Sequence, residues 1–131
     1  RADLAEKLTV GSVTDLPYED ETFWMCVSHG TLDSMARDIA QAGIKETVRV
    51  LKKNGLMYLD LIMDVQKADK EVVVEQGYEK GTIQSYFNVD SIKQFLGDEL
   101  QIIEFKIIAW KDEKEKEINR RAHIIVKKKA G

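Results

Sequence analysis

Ser28, His29, Gly30 and Thr31 close a continuous apolar run, Phe23-Trp24-Met25-Cys26-Val27. Parallel α/β sheets bind ligands beyond the carboxyl ends of their strands, so an apolar strand ending in a hydroxyl, an imidazole and a glycine marks a candidate site. His29 is a candidate general base there, because imidazole titrates near neutrality; the alternative is a loop histidine that makes one hydrogen bond. Asp33, four residues on, either caps the next helical segment or serves as a catalytic carboxylate. Asp15 and its neighbours form a second polar cluster at the end of a short β-branched segment, Thr9–Val13. His123 alternates with apolar residues and reads as the polar face of a strand. Cys26 lies between Met25 and Val27 and reads as a small buried hydrophobe, with no activating partner in sight. As the single cysteine it excludes an internal disulfide and a cysteine-based metal cluster. The two histidines are far apart in sequence, which argues against a metal site. There is no P-loop, HExxH, GxSxG or CxxC pattern.

The elements that must position these residues follow from periodicity. Leu4 and Leu8 suit the last turns of a helix, and Thr9–Val13 suits a strand end. An acidic loop, Asp15 to Glu21, carries the only proline. The run at 23–27 has no alternation, as expected of a strand covered on both faces. Residues 38–53 predict a helix: Ala40, Ile44, Val48 and Leu51 share one face, Asp38 is a candidate N-cap, and Lys52 and Lys53 suit the last turn. Asn54-Gly55 then predicts a left-handed exit from the helix. Leu56 to Ile62 is a second apolar strand, interrupted by Asp60. Strand, helix and apolar strand together predict a βαβ unit in a parallel sheet. Further on, Asn88 or Asp90 is placed to cap a short helix bearing Ile92, Phe95 and Leu96, closed by Gly97. Ile103, Phe105 and Ile107 alternate with charged residues, as do Ala122, Ile124 and Val126. Between these two segments lies Lys111–Glu117, a run of mixed charges, so they predict an antiparallel hairpin. The fold class is therefore α/β, with parallel core strands and an antiparallel edge.

Size and charge bound the possible functions. A chain of 131 residues suits one domain and is 44% hydrophobic and 33% charged, an ordinary globular profile. Its net charge of -3 provides no basic surplus for coating nucleic acid, so no nucleic-acid partner is expected. The longest apolar run, Leu56–Met63, is too short to cross a bilayer, and Arg-Ala-Asp-Leu at the start is not an apolar leader. A cytoplasmic protein without a membrane partner is the expectation. The chain begins with Arg1 rather than Met, which suggests that something upstream is absent.

Three stretches in order resemble the class I S-adenosylmethionine-dependent methyltransferases, of the kind that act on small molecules. Gly11-Ser12-Val13-Thr14-Asp15-Leu16-Pro17-Tyr18-Glu19-Asp20-Glu21-Thr22-Phe23 is similar to the family's signature around its third strand. Val27 to Met35 resembles the end of its fourth strand, and Lys45 to Leu56 resembles the Glu-x-x-Arg-Val-Leu-Lys-Pro-Gly-Gly stretch before the fifth. The C-terminal hairpin is similar to the antiparallel sixth and seventh strands. No Gly-rich loop precedes Gly11, so residues 1–131 resemble the C-terminal part of a methyltransferase domain, a partial Rossmann-like sheet.

The resemblance implies S-adenosylmethionine as cofactor and a small-molecule methyl acceptor. It implies that Ser12, Val13 and Asp15 lie at the adenine end, with Ser12 in place of the usual aspartate. Ser28, His29 and Gly30 are implied at the methionine end, with His29 as the catalytic candidate. It also implies the sheet order 3-2-1-4-5-7-6, so that without strands one and two the fourth strand has an open edge and this stretch alone binds the cofactor weakly or not at all. Tyr78, Tyr86 and Phe87, in the variable region 64–88, either line the acceptor pocket or belong to the core. Two other readings stand beside this one. Gly30-Thr31-Leu32-Asp33 is similar to a loop of certain protein-lysine methyltransferases. The absent glycine loop also suits a non-catalytic module that forms a homodimer through the open edge.

Overall fold

The computed structural model describes residues 2–131, and side-chain environments from Leu4 onward. Nine elements follow one another: α1 (Ala2–Ala5), β1 (Phe23–Ser28), α2 (Arg37–Val50), β2 (Leu51–Met63), β3 (Lys70–Val73), β4 (Ile83–Tyr86), α3 (Val89–Leu96), β5 (Leu100–Lys111) and β6 (Glu117–Lys128). The main sheet has the order β1-β2-β6-β5. β1 runs parallel to β2, while β6 is antiparallel to both β2 and β5. This is the 4-5-7-6 half of the order expected from the resemblance, with α2 as the crossover of the βαβ unit.

Alternation along the strands separates two faces. Met57, Leu59, Leu61, Ala122, Ile124 and Val126 point to one side and are buried against Ala40 and Ile44 of α2 and Ile92 and Phe95 of α3. α3 is closed as its sequence predicts. Asn88 accepts the Ser91 N–H while the Ser91 hydroxyl accepts the Asn88 N–H, a reciprocal cap, and Gly97 ends the helix at φ 71°. The hairpin is likewise as expected. Its turn is held by the Asp112 carboxylate, which accepts the Lys114 and Lys116 N–H groups.

Three segments differ from expectation. The run at 23–27 forms β1, but it is not covered on both faces: it lies at the sheet's edge, and Trp24, Met25 and Val27 are exposed. Thr9–Val13 is not a strand: Val10 is fully exposed, and the only pairing nearby is an isolated bridge between Ser12 and Asp15. A strand needs a neighbour to take its backbone hydrogen bonds, and among the described residues nothing offers one here. The helix predicted over 38–53 runs instead over Arg37–Val50. Leu51 is fully buried and already pairs with Phe23 in the sheet. Lys52 to Gly55 then bulge out before Leu56 resumes pairing opposite Met25, with Asn54 left-handed at φ 67°. Asn54-Gly55 thus supplies the expected geometry, but within a strand. The N-cap is also displaced. Ala36 occupies it, and Glu71 of β3, 34 positions away, accepts the Arg37 N–H in place of a local side chain. Asp38 sits in the first turn instead, where a carboxylate suits the helix dipole.

The β3–β4 hairpin occupies part of the variable region. Arg37 docks it, stacking its guanidinium 3.7 Å from the Phe87 ring centre while donating to the Tyr86 carbonyl and pairing with Asp69. Phe87 is core, Tyr86 is half-buried and Tyr78 is exposed.

Candidate functional site

β1 is the free edge of the main sheet, and a groove of about 340 Å³ runs along it. Its walls come from Val13 and Leu16 of the N-terminal loop, Met25 to Ser28 of β1, Thr31 and Leu32 beyond it, and Thr47 of α2. Val13 reaches α2 because position 43 is glycine. A Cβ there would meet the Val13 side chain at 2.9 Å, too close for any real contact.

One arginine fixes the loop that forms the outer wall. Arg49 of α2 donates to the carbonyls of Leu16 (3.0 Å) and Tyr18 (2.8 Å) and to the Asp20 carboxylate (2.9 Å). Glu46, one turn earlier, is paired with Arg49 at 2.7 Å and accepts the Leu16 N–H at 2.8 Å. Arg49's hydrogen bonds hold the Glu46 carboxyl below the usual carboxylate range, and Glu46 and Asp20 in turn raise the guanidinium further. The Glu-x-x-Arg spacing of the helix is therefore a staple for the acidic loop.

At the carboxyl end of β1 the chain turns at Gly30, left-handed at φ 62°. This turn brings two groups of the loop onto Asp60 of the neighbouring strand β2. The His29 Nδ1 meets Asp60 Oδ2, and the Gly30 N–H donates to Asp60 Oδ1 at 2.7 Å. Asp60 is fully buried, whereas the His29 side chain is 76% exposed. Arg121 of β6 bridges two buried carboxylates, reaching Asp60 at 3.3 Å and Asp33 at 3.0 Å. Asp33 also accepts the Ile62 N–H at 2.7 Å. Tyr58 lies 3.4 Å from Asp60 Oδ2 and 2.7 Å from His123 Nδ1, and burial together with the Asp60 charge raises its phenol. His123 Nε2 is buried and has no partner among the described residues.

The residues singled out in the sequence are distributed unevenly over this site. Val13 and Ser28 line the groove together; His29 and Gly30 follow Ser28 in the chain and are not among its lining residues. Ser12 and Asp15 are exposed and outside the groove lining. The Ser12 hydroxyl is engaged locally with the Thr14 hydroxyl at 2.8 Å and the Thr14 N–H at 3.2 Å. Asp33 does not cap α2, since it is committed to Ile62 and Arg121. Cys26 packs against the core, where burial pushes its thiol up. Asp60, Arg121 and Tyr58 were not singled out. Asp60 alone left a signal, as the one charge within an otherwise apolar run, because a buried carboxylate must find partners.

Comparison with known proteins gives three findings. A family model described as a methyltransferase domain matches residues 1–59. No curated protein matches the chain. Among solved structures, a S-adenosylmethionine-dependent methyltransferase from Methanosarcina mazei superposes with a TM-score of 0.75 at 20% identity, over 94% of this chain and 67% of that one. A Burkholderia thailandensis 1,6-didemethyltoxoflavin N1-methyltransferase, bound to its substrate and S-adenosylhomocysteine, gives 0.75 at 11% identity, over 98% of this chain and 56% of that one. The [4+2]-cyclase SpnF gives 0.68 at 15% identity, over 99% and 62%. The chain thus spans 56 to 67% of the length of these structures. At such identities the likeness is one of fold.

Proposed function

From a chain with the class I methyltransferase fold, whose first 59 residues match the methyltransferase domain, we propose a S-adenosylmethionine-dependent methyltransferase acting on a small molecule. The observation that carries this reading is the position of the groove. It runs along β1 as far as Ser28 at the strand's carboxyl end and is walled by the Arg49-stapled loop, and His29 follows Ser28 directly in the chain. Fold alone does not fix the reaction, as the cyclase among the similar structures makes plain.

The residues present fit one part of the cofactor. The slot between Val13, Leu16 and Met25 suits a flat, largely apolar group such as adenine, and Ser28 and Thr31 add hydroxyls at its far end. Among the described residues the groove lining holds no carboxylate for a ribose diol. When bound, S-adenosylmethionine supplies a methyl group on a sulfonium sulfur, which departs with the electron pair of the broken bond. The chain's contribution is to orient the acceptor and to take its proton at His29 Nε2. An acceptor with a hydroxyl or amine proton to lose suits that arrangement. A small-molecule acceptor is supported by the Burkholderia structure, which holds one beside the demethylated cofactor.

The test has two parts. Millimolar S-adenosylhomocysteine added to the labelled chain is expected to shift the amide signals of Val13, Ser28 and Gly30, whereas titration calorimetry shows no micromolar binding. Shifts confined to other residues, or none, overturn the site. Transfer of labelled methyl groups from S-adenosylmethionine, assayed in cell extract with the protein, is expected in the metabolite fraction. Label in protein lysines instead supports the protein-lysine reading.

A second reading is favoured by the free edge itself. β1 leaves its outer backbone groups unpaired, and Trp24, Met25 and Val27 are more than half exposed along it. Self-association into a homodimer through this strand covers them. Light scattering that finds a monomer at every concentration overturns it.

A further inference from the structure

We infer that Asp60 is a positioning residue, which fixes the His29 imidazole with its proton on Nδ1 and leaves the Nε2 lone pair as the proton acceptor of the site. The inference deepens the methyltransfer reading and rests on its assignment of His29 as base. A neutral imidazole carries one proton, and the hydrogen bond made by one ring nitrogen decides which nitrogen keeps it. Asp60 makes that choice unambiguous, because an ionised carboxylate only accepts. Its Oδ1 already receives the Gly30 N–H and the Arg121 guanidinium, and Oδ2 is the atom that faces His29. The group on Nδ1 must therefore be N–H.

The geometry argues for orientation rather than stability as the use of this contact. Asp33 already ties Arg121 to the β2 backbone through Ile62. The second buried carboxylate, whose other oxygen already takes the Gly30 N–H and Arg121, directs its remaining oxygen to an imidazole that is 76% exposed. What the contact does achieve is a fixed ring. The left-handed turn at Gly30 lets the His29 ring and the next backbone N–H reach the two oxygens of the same carboxylate, so the backbone bond holds the carboxylate in place for the ring. Nε2, the ring nitrogen that does not face Asp60, is left for a proton on this largely exposed side chain. Groups that orient a catalytic histidine through Nδ1 serve the same purpose in unrelated hydrolases.

The test reads the tautomer directly, without substrate or cofactor. In long-range nitrogen–proton correlation spectra of the intact chain, recorded above the titration of imidazole, His29 is expected to show a protonated Nδ1 and an unprotonated Nε2. Asp60→Asn is expected to lose that preference, with the Nε2–H form becoming the majority. A wild-type His29 that carries its proton on Nε2 overturns the inference, and this measurement needs no variant to fold. An unchanged His29 spectrum in a folded Asp60→Asn protein overturns it as well. The S-adenosylhomocysteine titration separates the two claims. The expected tautomer with no ligand shifts leaves Asp60 positioning a histidine of another reaction, whereas ligand shifts with the Nε2–H form keep the methyltransferase and remove Asp60's role.

Discussion

The two faces of the main sheet are built from the same strands and follow opposite rules. Toward α2 and α3, Met57, Leu59, Leu61, Ala122, Ile124 and Val126 of β2 and β6 are apolar and almost fully buried, and shape complementarity holds the layers together. Toward the other side, alternate residues of those strands are Tyr58, Asp60, Arg121 and His123, held by directed hydrogen bonds, with Met25, Val27, Ile108 and Trp110 left exposed around them. Moving one residue along β2, from Leu59 to Asp60, passes from one regime to the other. The packed face forms the core, and the polar face gathers buried charges.

Substitutions that separate the regimes test this contrast. Leu59→Ala, a fully buried truncation on the packed face, is expected to cost about 2–5 kcal/mol in urea unfolding while leaving the His29 tautomer unchanged. A loss of the tautomer as well would merge the two faces into one unit. Arg121→Met leaves Asp33 and Asp60 without their shared cation. Its expected cost is about 2 kcal/mol, below the ~3–5 of a fully buried pair because the arginine keeps some contact with water. Unlike the first variant, it should also disturb the His29 signals.

A pH titration is expected to have a smaller effect. Asp64 follows β2, and its carboxyl is held below the usual range by Lys70 and by the Ala68 and Gln66 N–H groups, against an opposing effect of burial. A lowered folded-state value means stability that is present above the ordinary carboxylate range and is lost as pH falls through the folded value. Unfolding midpoints should therefore decline on the acid side, and Asp64→Asn should flatten that limb; an unchanged limb would remove Asp64 from it. Smallest is Val27→Thr on the exposed edge of β1, expected within about 0.5 kcal/mol of wild type. A larger loss would mean that the edge is covered in solution.

The packed face was legible in the sequence; of the polar face, only the side on which His123 lies and the lone charge of Asp60 were. A continuous apolar run marks Leu59, alternation marks Ile124, and the helical period marks Ala40 as core without any knowledge of their neighbours. Asn88 and Gly97 mark the ends of α3 for equally local reasons. The polar cluster depends on partners 31 positions apart for His29 and Asp60, and 88 for Asp33 and Arg121, which no window can connect. The two histidines, distant in sequence, are linked through Asp60 and Tyr58. The error in α2 has the same origin, since its cap comes from Glu71 of β3 and its end is set by pairing with β1. Thr9–Val13 has the composition of a strand, but composition cannot supply a neighbour.

The position of β6 also has a consequence in time. It follows β2 and β5 in the chain and yet lies between them in the sheet. Its Lys128 donates to the Val48 and Leu51 carbonyls at the end of α2, and its Arg121 completes the carboxylate cluster. On the ribosome, β2 and β5 must therefore wait as two unpaired edges until β6 has emerged. Closure over such sequence distances is intrinsically slow, so this interval is when the nascent chain most needs a chaperone.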